Sequence, residues 1–166
     1  SLMLKFGVIC LLSIASLLCL FVVNTTPSFP RGVYLKTYRT VEKGNLVLFC
    51  PPDTPLFHDA FRYRLVSSGL CPSGLGYLIK RVAAVEGDMV RISDTGVEVN
   101  GKKLENSKRQ KAFRPRPLSP DIYHRLGSHE VLLMSPHPLS FDSRYFGPLS
   151  DECICTPLEP FYILGE

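Results

Sequence analysis

The sequence has no zinc-finger spacing, no aromatic RNA-binding motif and no basic helix, and its formal net charge of +4 over 166 residues is mild. That combination excludes the usual nucleic-acid surfaces, which rest on a concentrated basic face. No Cys and His clusters stand at metal-ligand spacing, so no structural zinc is expected. Six cysteines are too few for a disulfide scaffold at this length and matter only by position. None of the four histidines, His58, His124, His129 and His137, lies in a Gly-x-Ser-x-Gly or similar setting, so nothing points to a Ser-His-Asp triad. No internal repeat is present.

What is there suits one domain plus an anchor. Hydrophobic residues make up 45% of the chain, enough for a core and against disorder. Residues 7–23, GVICLLSIASLLCLFVV, carry no charge. Counted from Leu2, with Lys5 snorkelling, the run has the length of a membrane span. A secretory signal peptide has a shorter apolar part and a small-x-small cleavage site. Here residues 24–28 contain no alanine, and Pro27 obstructs cleavage. A core helix would show a polar face, and none appears. The expectation is an uncleaved transmembrane anchor over 6–23 and a second domain over 24–166. Lys5 and the amino terminus oppose Arg31, Lys36, Arg39 and Lys43, so flanking charge alone sets no orientation.

From Val33 the pattern becomes short strands and tight turns. Strands are expected over 33–38, 46–49, 77–85, 89–92, 97–99 and 130–134, with late apolar segments at Ile154 and 161–164. Lys43-Gly44-Asn45 and Glu86-Gly87-Asp88 read as turns, and Asn100-Gly101 is a hairpin signal because both residues accept positive φ. Residues 53–73 read as irregular. Residues 102–127 are basic and proline-bearing and read as an excursion from the sheet: a solvated loop, or a surface for anionic headgroups. The fold class is mainly β, antiparallel.

Two residues carry candidate chemistry. Ser28 lies between Pro27 and Pro30, just after the apolar run, in NTTPSFPRGVY. Prolines leave that serine few conformations, as a nucleophile needs, although a stiff exit loop has the same composition. A serine hydroxyl requires a base. Lys80 is the one lysine embedded in an apolar strand, YLIKRVAAV, and alternation sets Lys80 and Val82 on one face and Ile79 and Arg81 on the other. It is either a desolvated amine of lowered pKa or an edge lysine reaching solvent.

An apolar anchor, a serine before x-Pro, a strand with Lys-Arg leading to Gly-Asp, and Ser140-x-Asp142-Ser143-Arg144-x-Phe146-Gly147 together resemble the type I signal peptidase family. The order of NTTPSFPRGVY, FCPP followed by CPSG, and KRVAAVEGD followed by VNG are similar to its conjugative-transfer, TraF-type branch. The resemblance runs from about Leu11 to Leu164 and weakens over 102–127. It implies a signal-peptidase-like β domain with Ser28 as nucleophile and Lys80 as general base. It also implies Thr26 as an oxyanion donor beside the Ser28 backbone N–H, Ser140 orienting the lysine, and Asp142 with Arg144 as a structural ion pair. No metal or organic cofactor is implied.

Some positions depart from leading bacterial signal peptidases. Ser135-Pro136-His137-Pro138 replaces Gly-Asp-Asn-Arg, Asn45 stands where Gly-Asp is common, and Glu86 where Pro precedes Gly-Asp. These favour the specialised branch. In an oxidising periplasm Cys50 and Cys71 are expected to pair, while Cys153 and Cys155, two residues apart, are not expected to pair with each other and Cys10 and Cys19 lie in the anchor. The resemblance implies a serine endopeptidase of the bacterial inner membrane, single-pass, with a periplasmic catalytic domain. Its partners would be the membrane and a protein substrate, a secreted or pilin precursor of a conjugation system. The acyl-enzyme would pass to water or, with cyclisation, to the substrate's own amine. A non-catalytic pilus-assembly scaffold that keeps the fold is the alternative.

Overall fold

The apolar run divides in two. In the computed structural model, which describes residues 2–110 and 120–165, helix α1 (Leu2–Leu18) takes 17 residues and strand β1 (Phe21–Asn24) follows. β1 pairs antiparallel with β2 (Gly32–Lys36), Phe21 opposite Leu35 and Asn24 opposite Gly32. Phe21, Val22 and Val23 are aromatic and β-branched and suit a pleated surface. At the junction the Lys36 N–H donates to the Leu20 carbonyl. The single apolar helix expected over 6–23 is therefore shortened, its last residues being drawn into the sheet. At 1.5 Å per residue α1 is about 26 Å long against a hydrocarbon thickness of about 30 Å. Among the described residues no helix is long and apolar enough to cross a membrane. α1 exposes its apolar side chains, including Met3, Phe6, Ile9 and Leu12.

Next come β3 (Leu46–Phe49), helix α2 (Pro55–Arg62), β4 (Leu78–Ala84), β5 (Met89–Ser93), β6 (Gly96–Val99) and β7 (Lys102–Lys103). They are followed by β8 (Ile122–Arg125), β9 (Glu130–Met134), helix α3 (Ser143–Phe146), β10 (Leu149–Ser150) and β11 (Ile154–Ile163). Among the described residues, seven strands form one sheet in the order β1-β2-β11-β3-β4-β9-β10, and four form a second in the order β7-β6-β5-β8. The pairings are antiparallel, so the mainly β, antiparallel class is what the chain adopts.

Period-two alternation distributes the large sheet between three cores. Val47 and Phe49 of β3, Val82 of β4 and Leu133 of β9 pack with Phe57 and Ala60 of α2 and Phe146 of α3. Leu46, Leu48 and Ile79 face the other way, against Phe29, Tyr34 and Leu158. A register shift in β4 between Val82 and Ala84 sends Ala84 to a third core, with Leu132, Met134 and the inner residues Val90, Ile92 and Val97 of the small sheet. Arg81 lies over the Phe29 ring at 5.8 Å, on the Ile79 side. Lys80 keeps the Val82 side and is buried.

The expected hairpin forms at Asn100 (φ 51°) and Gly101 (φ 79°), between the paired residues Val99 and Lys102. Other expectations need revision. Residues 53–73 contain α2, with Pro55 in its first turn and Phe57 and Ala60 buried. The two late apolar segments form one ten-residue strand, β11, between β2 and β3. The stretch 102–127 carries β7 and β8 of the small sheet, and its middle, 111–119, lies outside the described residues. Cys50, just after β3, is joined by a disulfide to Cys71, with Cα atoms 5.5 Å apart. Cys10, Cys19, Cys153 and Cys155 are free.

Candidate active site

The turn that carries Ser28 is held by the last residue of β1. Asn24 is buried, and its Nδ2 donates to the carbonyls of Thr26 (3.2 Å), Phe29 (3.0 Å) and Pro30 (3.1 Å). Its Oδ1 accepts from the Thr26 N–H (3.1 Å) and the Thr26 hydroxyl (2.8 Å). One side chain thus satisfies the polar groups of a turn too tight to pair its own backbone. The Tyr34 hydroxyl donates to the Pro30 carbonyl at 2.6 Å. From across the sheet, the Ser135 hydroxyl donates to the carbonyl of Ser28 itself at 2.6 Å.

Lys80 meets that turn from β4. Its Nζ donates to Ser140 Oγ at 2.9 Å and to Ser28 Oγ at 3.3 Å, and the two hydroxyl oxygens are 3.2 Å apart. Lys80 is 2% exposed. Burial disfavours the ammonium form and pushes its pKa down to about 8; the Asp142 carboxylate opposes that shift and the Arg144 guanidinium reinforces it. A buried amine that loses its proton near neutrality can take one from the serine hydroxyl beside it.

Ser140 and Ser135 belong to a loop fixed by an ion pair. Arg144 donates from Nε to Asp142 Oδ1 (2.7 Å) and from Nη2 to Asp142 Oδ2 (2.8 Å), a bidentate pair with both side chains fully buried. The guanidinium also donates to the carbonyls of Asn106, Pro138, Ser135 and His137. Asp142 accepts from the N–H of Ser135 (3.0 Å) and of Arg144 (3.1 Å). The Ser143 hydroxyl accepts from the Leu133 N–H at 2.9 Å and ties α3 to β9.

Ser28, Lys80 and Ser140 therefore converge, with Asp142 and Arg144 directly behind them. Thr26 does not join the cluster: its hydroxyl proton goes to Asn24. Asn24 and Ser135 were not singled out from the sequence. An Asn two residues before a Thr signals an Asx turn; Ser135 carries no such local mark. A cleft of about 640 Å³ opens beside the cluster, lined by Val22 and Asn24 of β1, Leu65, Tyr77 and His137, among others. His58, His124 and His129 pair instead with Asp53, Glu130 and Asp151 at the surface. Among the described residues no group of three or more His, Cys, Asp or Glu side chains is placed to hold a metal ion.

Residues 2–161 match the family model described as signal peptidase, peptidase S26. A plasmid transfer protein TraF of Escherichia coli is 46% identical over 142 residues, covering 83% of this chain and 80% of that one. A conjugal transfer protein TraF of Agrobacterium tumefaciens is 35% identical over 142 residues, covering 84% and 80%. A signal peptidase I of Enterococcus faecalis superposes with a TM-score of 0.42 at 14% identity, over 74% of this chain and 100% of that one. The family match spans nearly the whole chain and includes both the Ser28 turn and the Lys80 strand, and on that match the chain belongs to the signal peptidase, peptidase S26, family.

Proposed function

We propose that the chain is a serine endopeptidase that matures a secreted or pilin precursor in a conjugation system. One observation carries the reading: a lysine 2% exposed, with its amine 3.3 Å from a serine hydroxyl. In its neutral form Lys80 takes the Ser28 proton as Ser28 Oγ bonds to the scissile carbonyl carbon. The Ser28 backbone N–H donates to the oxyanion, and the Thr26 hydroxyl joins it by rotating away from Asn24. The Lys80 ammonium then returns the proton to the leaving amine as the C–N bond breaks. Water, or an amine of the substrate itself, releases the acyl group.

At pH 7 a lysine of pKa about 8 is roughly one-tenth neutral, against about one in 3,000 at 10.5, so burial raises the competent fraction about 300-fold. The names of the relatives support a place in plasmid transfer. The exposed apolar face of α1 supports attachment to the inner membrane, and the Cys50–Cys71 disulfide supports an oxidising, periplasmic side for residues 24–166.

The test is maturation of the co-expressed precursor by Ser28→Ala and Lys80→Ala. Both variants are expected to leave the precursor uncut; cleavage by either at the wild-type rate sinks the dyad. The intact mass of the product separates hydrolysis from cyclisation, since a ring lacks one water.

A further inference from the structure

Arg109 lies far from the cleft in sequence and in the small-sheet half of the fold, yet it is almost as buried as the ion pair behind Lys80. Its side chain is 6% exposed, rare for an arginine without a full set of partners. Nε donates to the backbone carbonyl of Arg144 at 2.7 Å. Nη1 reaches Asp94 and Asp121, each at 3.4 Å, and Nη2 reaches the Pro120 carbonyl at 3.4 Å. The residues around it repeat the attachment. The Asn106 carbonyl accepts from Arg144 Nη1 at 2.8 Å, and the Gln110 N–H donates to the Tyr145 hydroxyl at 2.9 Å. Of the Arg144 side-chain hydrogen bonds among the described residues, the one to Asn106 alone comes from outside the 135–142 loop.

The bonds run on without a break. Arg109 holds the Arg144 backbone, Arg144 grips Asp142, Asp142 accepts from the Ser135 N–H, and the Ser135 hydroxyl holds the Ser28 carbonyl. The same loop carries Ser140, the nearest partner of the Lys80 amine. We propose that Arg109 is a positioning residue: it clamps the 104–110 segment of the small-sheet half onto α3 and so sets where the 135–144 loop presents Ser135 and Ser140 to Ser28 and Lys80. The inference rests on the Ser28–Lys80 reading, but its readout does not pass through peptide cleavage.

The charged groups acting on Lys80 are Asp142 and Arg144, the hydroxyls beside it are Ser28 and Ser140, and Arg64 and His137 line the same cleft. When the loop slackens, water reaches the amine and its titration moves up toward that of an ordinary lysine. The experiment is ¹³C NMR of the full chain in detergent micelles with ¹³Cε-labelled lysine, Lys80 being assigned by its loss in Lys80→Met. Arg109→Met is expected to raise the Lys80 midpoint by about 1 pH unit, and Arg109→Lys to return it to within about 0.3. An unchanged midpoint in a folded Arg109→Met overturns the proposal, because a residue that only stabilises the fold lowers the unfolding temperature and leaves Lys80 alone. If Arg109→Met does not fold, the double variant Asp94→Ala, Asp121→Ala removes the acceptors at the outer end of the guanidinium, and its Lys80 midpoint must still rise for the proposal to stand. Failure of Ser28→Ala to block maturation would remove the peptidase reading, whereas an unmoved Lys80 resonance removes only the clamp.

Discussion

Lys80 makes the fold less stable at neutral pH than it would be with an apolar side chain, and the deficit has a defined pH window. In the unfolded chain the amine titrates near 10.5; in the fold it titrates at about 8. Between these values the unfolded chain binds the extra proton, so stability rises with pH across the interval. Below pH 8 the folded state bears the whole cost, and above 10.5 it bears none. At 1.36 kcal/mol per pH unit the cost is about 3 kcal/mol at pH 7 and under about 1 kcal/mol at pH 10. Against a typical total of about 5–15 kcal/mol that is a large fraction.

The perturbation is Lys80→Met, which keeps an unbranched apolar stem between Leu78 and Val82 and leaves the Ser28 and Ser140 hydroxyls, 3.2 Å apart, to bond each other. Urea unfolding of both proteins at pH 7 and pH 10 supplies the assay. The lost lysine hydrogen bonds and the changed packing enter at both pH values and cancel in the double difference, as do the other titrating groups. Wild type is expected to gain about 2 kcal/mol on Lys80→Met between the two. A stability gap that stays constant within about 0.5 kcal/mol would show that Lys80 titrates as a hydrated lysine and would remove the basis for calling it a base.

Ser140→Ala removes the shortest partner of the Lys80 amine; kcat on the precursor should fall by about 10- to 100-fold with KM nearly unchanged, and an unaltered kcat would exclude Ser140 from orienting the base. Replacing Cys50 and Cys71 together by serine opens a loop of sequence separation 21. The expected cost is about 3 kcal/mol in the chain-entropy model. Urea unfolding measures it, dithiothreitol should reproduce it on wild type, and equal stability of the two proteins would refute it.

The residues with a strong local mark were legible. Asn100-Gly101 forms its turn because two adjacent positive φ values suit few other pairs. Lys80 was conspicuous as a charge inside an apolar strand, and alternation assigned its face correctly, although its burial involves the distant Ser28 turn and Ser140 loop that meet its amine. β1 was hidden because an all-apolar run has no periodicity to divide it, and only the partner β2 ends the helix. α2 is short, but Thr54-Pro55 followed by Phe57 and Ala60 was a readable helix start. Arg109 sat in a basic stretch that composition assigns to solvent; its burial depends on Arg144, 35 residues later, and no local rule reaches that far. Ser135 likewise carries no local mark, and its hold on Ser28 spans 107 residues.

The position of β11 has a consequence for how the molecule is made. Ser28 hangs from the β1–β2 hairpin and Lys80 rides on β4, but β2 and β3 do not pair: β11, residues Ile154–Ile163, is the strand between them. A nascent chain therefore carries Ser28 and Lys80 for most of its synthesis without a sheet to join them. Translation that halts before Ile154 leaves a serine hairpin on one side, a lysine strand on the other, and a strand-wide gap in between. Insertion of β11 closes that gap, so the step that completes the sheet is also the step that brings the Ser28 turn to the Lys80 strand.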